Sequence, residues 1–131
     1  MFFFGKKQTK PQLKEYSFTL TKGFRGFKRF PIVIHGHKES EKNNKALKDT
    51  DLCEHTLVFK PGSSETYKEP FYQVIIDNLQ VGAIFDFDQV KAINYGRIEA
   101  VYAKNEEEAV ISKKSISNRN IIRLFVKYKE E

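Results

Sequence analysis

The segment Lys22–Phe30 (KGFRGFKRF) holds four basic residues, three phenylalanines and two glycines. Single-strand nucleic-acid binders combine these side chains, because cations track phosphates and each base stacked on a ring contributes ~1–3 kcal/mol. Arg25, Lys28 and Arg29 are therefore candidates for neutralising phosphates, and Phe27 is a candidate for stacking on a base. In the alternative interpretation, the three phenylalanines pin a turn to the core while the cations face water.

All three histidines and the single cysteine fall in two short pairs. His35 and His37 form one pair, and Cys53 and His55 form the other. Positions two apart share a face of a strand, so facing pairs could present one cysteine and three histidines to zinc. The spacing matches no established zinc motif, and chance is the favoured explanation. We therefore assign no metal and no cofactor.

Motifs for catalysis are missing from the sequence. There is no nucleophile elbow, no glycine-rich phosphate loop and no H-E-x-x-H pattern. Asp86 and Asp88 could form a carboxylate pair, but helix capping and the helix dipole already explain them. The expectation is a binding module without enzymatic activity.

Most of these residues belong to short segments with the alternation of β-strands. Asp77 and Asn78 separate the two clearest strands and suit a tight hairpin turn. Gly82 predicts a bulge or a close backbone approach in the second of them. The principal predicted strands are Glu15–Thr21, Phe30–His35, His55–Lys60, Phe71–Ile76, Leu79–Phe85, Ile98–Ala103 and Ile121–Tyr128.

One short helix is predicted over Phe87–Tyr95. Asp86 suits its N-cap, with Gln89 three residues later, and Gly96 suits a left-handed C-terminal turn. Three segments are interpreted as irregular: His37–Leu52 as a long charged loop with at most one helical turn around Lys45–Lys48, Asn105–Glu108 as a charged turn before a short strand at Ala109–Ser112, and Ser115–Asn120 as a polar loop.

Six or seven short strands and one helix predict a mainly β fold, an antiparallel sheet that is curled or closed into a small barrel. Residues 15–131 would form one barrel-like domain, and residues 1–14 a Phe- and Lys-rich leader and linker. The predicted core consists of Phe18, Leu20, Ile32, Ile34, Leu57, Phe59, Val74, Ile76, Val81, Ile84, Val90, Ile93, Val101, Leu124 and Val126.

The 131 residues carry a net charge of +6, with a pI near 9.3. This excess favours an anionic partner: nucleic acid, a phospholipid surface or an acidic protein. A single cysteine excludes an intrachain disulfide, so a cytoplasmic setting is expected. No stretch reaches the ~20 apolar residues of a membrane helix, so no transmembrane segment is expected. Phe2–Phe4, followed by lysines, would be a short strand, a packed arm or a weak membrane anchor.

The block Tyr67–Lys104 places a tyrosine, a strand, a turn, a V-G pair, a helix and a further strand in that order. It resembles the HIRAN domain, particularly the short stand-alone HIRAN-like proteins of bacteria, which also tend to begin with a Phe- and Lys-rich leader. Tyr67, Val74 and Gly82 fall on matching places, whereas Lys68 replaces an aspartate of the family pattern. The resemblance implies binding of single-stranded DNA ends in a barrel-side pocket, and it makes Tyr67 a second stacking candidate.

The sequence therefore predicts a module that binds single-stranded nucleic acid with weak sequence preference. The alternative is a protein-interaction or membrane-peripheral module that uses the N-terminal leader, and a small metal-dependent protein is a third hypothesis. Nucleic-acid binding requires positive charge and exposed aromatic rings on one face. An interaction module requires instead an uncharged apolar patch or an open sheet edge.

Overall fold

The computed structural model of the chain describes residues 12–33, 38–48, 50–62 and 69–130. These residues form seven strands and two helices. In chain order they are β1 (Tyr16–Thr19), β2 (Lys28–Arg29), α1 (Lys38–Ala46), β3 (Thr56–Pro61), β4 (Tyr72–Ile76), β5 (Leu79–Ile84), α2 (Phe87–Asn94), β6 (Ile98–Ile111) and β7 (Ile116–Tyr128).

The strands form two antiparallel sheets. The four-stranded sheet has the order β1-β3-β4-β5, and the three-stranded sheet has the order β2-β7-β6. A hydrogen bond links the two sheets, since the Thr21 N–H donates to the Val101 carbonyl at 3.0 Å. The mainly β class and the number of strands are thus confirmed, but the sheets do not close into a barrel.

The hairpin β4–β5 forms as its sequence predicts. Asp77 and Asn78 have φ values of 50° and 68°, as a two-residue hairpin turn with two left-handed positions requires. The register between the strands shifts at Val74/Ile75, beside Gly82. A Cβ at Gly82 would lie 2.8 Å from Ile32 Cδ1, so both the bulge and the close approach are confirmed.

Helix α2 also begins and ends where the sequence indicates. Asp86 is its N-cap, and a carboxylate oxygen of Asp86 accepts the Gln89 N–H at 3.0 Å. Gly96 follows the helix with φ of 67°. The Gln89 side chain does not complete a capping box, because its amide donates to the Pro31 carbonyl at 2.9 Å. This bond ties α2 to the segment that follows β2.

The long hairpin β6–β7 corrects two sequence predictions and extends a third. Asn105–Glu108 and Ser115–Asn120 were expected as a turn and a loop, but β6 and β7 run almost unbroken to a turn at residues 112–115. The short strand expected at Ala109–Ser112 is present up to Ile111, as the end of β6. The charged residues fit the ladder because opposite charges pair across it. Glu108 lies opposite Arg119, and the two side chains approach to 2.8 Å.

The predicted strand Phe30–His35 is also wrong in place. Strand β2 lies two residues earlier, at Lys28–Arg29, and Val33 makes only an isolated bridge to Ala83. Phe30 continues the pairing of β2 by donating its N–H to the Leu124 carbonyl at 2.8 Å, and its ring is 1% exposed. Strand β2 lies at Lys28–Arg29 because pairing there allows the Phe30 ring to point into the core.

Helix α1 replaces the loop predicted over His37–Leu52. Ser40, Asn43, Asn44 and Leu47 are buried at helical spacing, so the inner face of α1 is mostly polar. Asn43 donates from its side chain to the Gln80 carbonyl at 2.8 Å, and Asn44 donates to the Asn120 carbonyl at 3.3 Å. The interface is built from amides, so a search for apolar periodicity does not detect this helix.

One hydrophobic cluster lies between the two sheets and α2. The predicted core residues that the structure describes lie in it or, for Phe18 and Ile32, pack against it; Ile34 lies outside the described residues. Tyr72 and Phe30 are its largest fully buried side chains and were not expected there.

Candidate functional site

The segment KGFRGFKRF forms a type II turn followed by β2. The Phe27 N–H donates to the Phe24 carbonyl at 2.9 Å, and Gly26 has φ of 80°. A type II turn needs a positive φ at this third position, which glycine adopts without strain. The turn leaves Phe24 at the surface and sends Phe30 into the core. The three phenylalanines therefore have three different environments, since Phe27 is half-buried.

Phe24 forms an aromatic cluster with two residues of the long hairpin. Tyr102 and Phe125 are directly opposite each other in β6 and β7, with ring centroids 6.0 Å apart. The Phe24 ring stacks on Tyr102 at 4.5 Å and 21°, and lies 5.0 Å from Phe125. Phe24 is 43% exposed, and the other two rings are half-buried. We call Phe24, Tyr102 and Phe125 the aromatic cluster.

The cluster lies on the outer face of the three-stranded sheet, the face that points away from the core. Leu124 and Val126 are buried, so the alternation of β7 turns Phe125 outward. Arg29 is opposite Phe125 in the register and shares its face, whereas Lys28 is opposite Val126 and points to the other face. Lys28 and Arg29 are adjacent in the sequence, but they therefore point to opposite faces of the sheet.

Beside the cluster, the outer face carries a groove of about 190 Å³, which we call the arginine groove. Arg29, Arg119 and Arg123 line it together with Glu108 and apolar residues. Arg123 lies two residues before Phe125 on the same face of β7. Cations and rings therefore share one continuous face.

Carboxylates compensate part of the positive charge on this face. Glu106 accepts from Arg123 Nε at 2.5 Å and lies 3.1 Å from Lys104 Nζ. The hydrogen bond from Arg123, followed by that from Lys104, lowers the pKa of Glu106. Arg29 has no ion pair with a described residue.

The face as a whole keeps an excess of two positive charges. Five cations compare with three carboxylates: Arg29, Lys104, Arg119, Arg123 and Lys127 against Glu99, Glu106 and Glu108.

The site residues expected from the sequence are only partly brought together. Arg29 joins the outer face, and Arg25 is exposed in the turn next to Phe24. Lys28 is exposed but points to the opposite face, and the aromatic cluster does not include Phe27. Tyr67 lies outside the described residues, as does its neighbour Lys68.

Sequence reasoning missed Tyr102, Phe125 and Arg123. The available signal was the outward side of β6 and β7, where alternation predicts polar residues and the sequence instead has Tyr102 and Phe125. No local sequence pattern contains the strand register that aligns these two rings, nor the contact that places Phe24 on them.

Of the four residues in the hypothetical histidine–cysteine metal site, His35 and His37 lie outside the described residues. His55 is paired through Nδ1 with Asp77. Partial burial, then Glu54 and Asp51, raises the pKa of the Cys53 thiol, which disfavours the thiolate that a metal or a nucleophile needs. Among the described residues, no three His, Cys, Asp or Glu side chains are grouped to hold a metal ion.

Comparisons with protein-family models, curated proteins and solved structures give no match to this chain. The HIRAN resemblance therefore stays a prediction. Neither helix of the described segments has the length and apolar character to cross a bilayer. Residues 1–11 of the leader lie outside the described residues, so its proposed roles also stay predictions.

Proposed function

We propose that the protein is a module that binds single-stranded nucleic acid on the outer face of its three-stranded sheet. The observation that carries the proposal is the aromatic cluster next to the arginine groove. In this arrangement the exposed ring of Phe24 stacks on a base with the Tyr102 ring behind it, and Arg29 and Arg123 neutralise the phosphates on either side.

Several features favour a single strand over a duplex. Phe24 presents its exposed ring at the open surface of a sheet, where an unpaired base can reach it. Arg29 has a planar guanidinium that suits phosphate oxygens and carries no ion pair to a described residue that a ligand must first break. The small charge excess of the face predicts moderate affinity. Weak sequence preference is predicted because stacking and phosphate contacts do not depend on which base is present.

The experiment is a binding titration of a fluorescently labelled oligothymidylate at several salt concentrations. We expect log K to fall linearly with log salt, with a slope of about −0.7 per phosphate contact. Arg29→Ala is expected to make that slope less steep by ~0.7. Tyr102→Ala is expected to weaken binding at every salt concentration while leaving the slope nearly unchanged, because stacking releases few counterions.

Matched controls separate a site from general basicity. Lys60→Ala removes an exposed cation of β3 in the other sheet, and Phe87→Ala removes a ring of α2 that is 71% exposed. Both variants are expected to bind like the wild type. Equal losses for Arg29→Ala and Lys60→Ala would mean that the outer face is not the binding site.

A second candidate function has one observation in its favour. Ile111 and Ile116 are opposite each other at the end of the long hairpin and are 77% and 74% exposed. Lys113 and Lys114 occupy the turn between them. Apolar side chains with adjacent lysines favour peripheral contact with an anionic lipid surface.

Liposome co-sedimentation tests this second candidate. We expect wild-type protein to sediment with vesicles that contain anionic lipid and to remain in solution with neutral ones. Ile111→Ser together with Ile116→Ser should then abolish the difference. Sedimentation that is insensitive to these two substitutions would exclude the hairpin end as the contact.

A further inference from the structure

A second basic recess lies between α1 and the part of β7 nearest the hairpin turn. It has a volume of about 490 Å³, and we call it the α1 cleft. Its cations are Lys42, Lys45, Lys48 and Arg119, and its carboxylates are Glu41 and Glu107. Arg119 is already counted with the outer face and is held by Glu108, so the three lysines exceed the two carboxylates of the cleft by one positive charge. These lysines lie in a segment whose sequence suggested a solvated loop.

Two of these lysines are available for a ligand. Lys48 lies 3.5 Å from Glu107, and Arg119 is held by Glu108. Lys42 and Lys45, in contrast, have no carboxylate of a described residue within ion-pair distance. Lys42 and Lys45 lie three residues apart in α1, so they share one side of the helix, and Lys48 follows two residues after the helix ends.

The polar inner face of α1 keeps these lysines in place. The Asn105 side chain donates to the Asn44 carbonyl at 3.1 Å, and Asn44 donates to the Asn120 carbonyl. Both partners of Asn44 belong to the long hairpin. The helix is therefore bonded to the same strands that carry the outer face, and the distance between the two basic regions is fixed.

Arg119 connects the two regions, because it lines both the arginine groove and the α1 cleft. Strand β2 pairs with β7 only at Phe125 and Val126, so in the described structure no strand of that sheet covers the edge of β7 at Arg119. From Phe125 to Arg119 the strand extends ~20 Å. A ligand that follows the groove from the rings would therefore cross to the cleft at Arg119, next to the Asn120 carbonyl that Asn44 of α1 occupies.

We propose that the α1 cleft is a second phosphate-binding site, occupied by the same single strand that stacks on the aromatic cluster. The proposal rests on the proposed function and adds a path and a length to it. The path turns over the edge of a sheet, which a flexible single strand can follow. Duplex DNA, with a persistence length of ~150 base pairs, cannot make this turn.

The test compares oligothymidylates of about 4 and about 12 nucleotides, lengths within the site sizes known for small single-strand-binding folds. We expect the wild type to bind the longer one more tightly and with a steeper salt slope. Lys42→Gln with Lys45→Gln should make the slope for the longer one less steep by ~1.4, which is ~7-fold less affinity lost between about 50 and about 200 mM salt. The same double variant should bind the shorter oligonucleotide like the wild type.

Lys60→Gln with Lys91→Gln is the control, since it removes two cations from β3 and α2, away from both regions. An unchanged slope for Lys42→Gln/Lys45→Gln, or equal wild-type affinity for both lengths, overturns the second site and leaves the proposed function standing. Sensitivity to Lys42 and Lys45 without sensitivity to Arg29→Ala and Tyr102→Ala overturns the outer face, and with it the path that joins the two regions. Absence of binding to either oligonucleotide overturns both.

Discussion

The ring of Phe24 stacks on that of Tyr102 at 4.5 Å, although the two residues come from a turn in the first third of the chain and a strand in the last. The stack leaves 43% of Phe24 accessible. A core aromatic side chain would be covered, so this ring is oriented by the protein and remains free to meet a ligand.

Phe24→Ala is accordingly expected to weaken binding of single-stranded DNA by ~1–3 kcal/mol, about 5- to 150-fold. Fluorescence anisotropy with an oligothymidylate measures the change. Phe87→Ala, at an exposed ring of α2, is the control and should leave affinity unchanged. If Phe24→Ala lowers thermal stability strongly while affinity is retained, the ring has a structural role only.

Glu106→Gln is expected to strengthen binding. Glu106 neutralises Arg123 and Lys104, and its removal frees Lys104 and leaves Arg123, among the described residues, with only its 4.0 Å contact to Glu108. The salt slope should become steeper by ~0.7 for each cation that then contacts a phosphate. Glu69→Gln, an exposed carboxylate outside this face, controls for net charge. Equal gains in the two variants would indicate a general charge effect.

The same residue gives a pH dependence of stability. The pKa of Glu106 is lowered in the folded protein, so its ion pairs stabilise the fold above the unfolded pKa of ~4.3 and this contribution is lost as pH falls through the folded pKa. Urea unfolding should therefore show the wild type more stable than Glu106→Gln near pH 7, by less than about 1 kcal/mol, with the difference vanishing in acid. A difference that grows in acid would contradict this sign.

Asp86→Ala is expected to destabilise the protein by ~1 kcal/mol. The Asp86 carboxylate accepts the Gln89 N–H at the start of α2, and without it this N–H loses its partner. Asp88→Ala is a matched control, because Asp88 lies in the first helical turn but is not the cap. Urea unfolding should show a larger loss for Asp86→Ala than for Asp88→Ala.

How far the sequence predicts this fold depends on how local the determining signal is. The turn at Asp77 and Asn78 and the cap at Asp86 need only neighbouring residues, and both form as predicted. Helix α1 needs partners that lie far away in the chain, since Asn43 and Asn44 bond to Gln80 and Asn120. From the sequence alone these amide side chains are expected at the surface, because their carbonyl partners are distant in the chain.

The candidate site shows the same division. Composition alone indicates that KGFRGFKRF has the chemistry for anions and bases. It does not indicate that Arg29 faces outward while Lys28 faces the other way, because the direction follows from pairing with Phe125 and Val126. Three consecutive carboxylates at Glu106–Glu108 are typical of a solvated turn, and they fit a strand here because Arg123 and Arg119 of β7 pair with Glu106 and Glu108.

The alkaline stability of the protein should depend on Tyr72. Its ring is fully buried and its hydroxyl donates to the Lys14 carbonyl at 2.7 Å, and burial raises the pKa of Tyr72 to about 12. An unfolded tyrosine has a pKa near 10, so the folded state favours the neutral phenol. Stability from this group is complete below about pH 10 and is lost up to about pH 12, a change on the order of 2–3 kcal/mol.

Tyr72→Phe removes both the hydrogen bond and this titration. At about pH 8 we expect the variant to be less stable than the wild type by ~1 kcal/mol, the net contribution of one hydrogen bond. Above about pH 10 the unfolding free energy of the wild type should fall more steeply than that of the variant, so the two curves first converge and then cross. Tyr95→Phe, which changes a tyrosine that is 64% exposed, should run parallel to the wild type. Parallel curves for Tyr72→Phe and the wild type between those pH values would show that the buried phenol does not couple ionisation to unfolding.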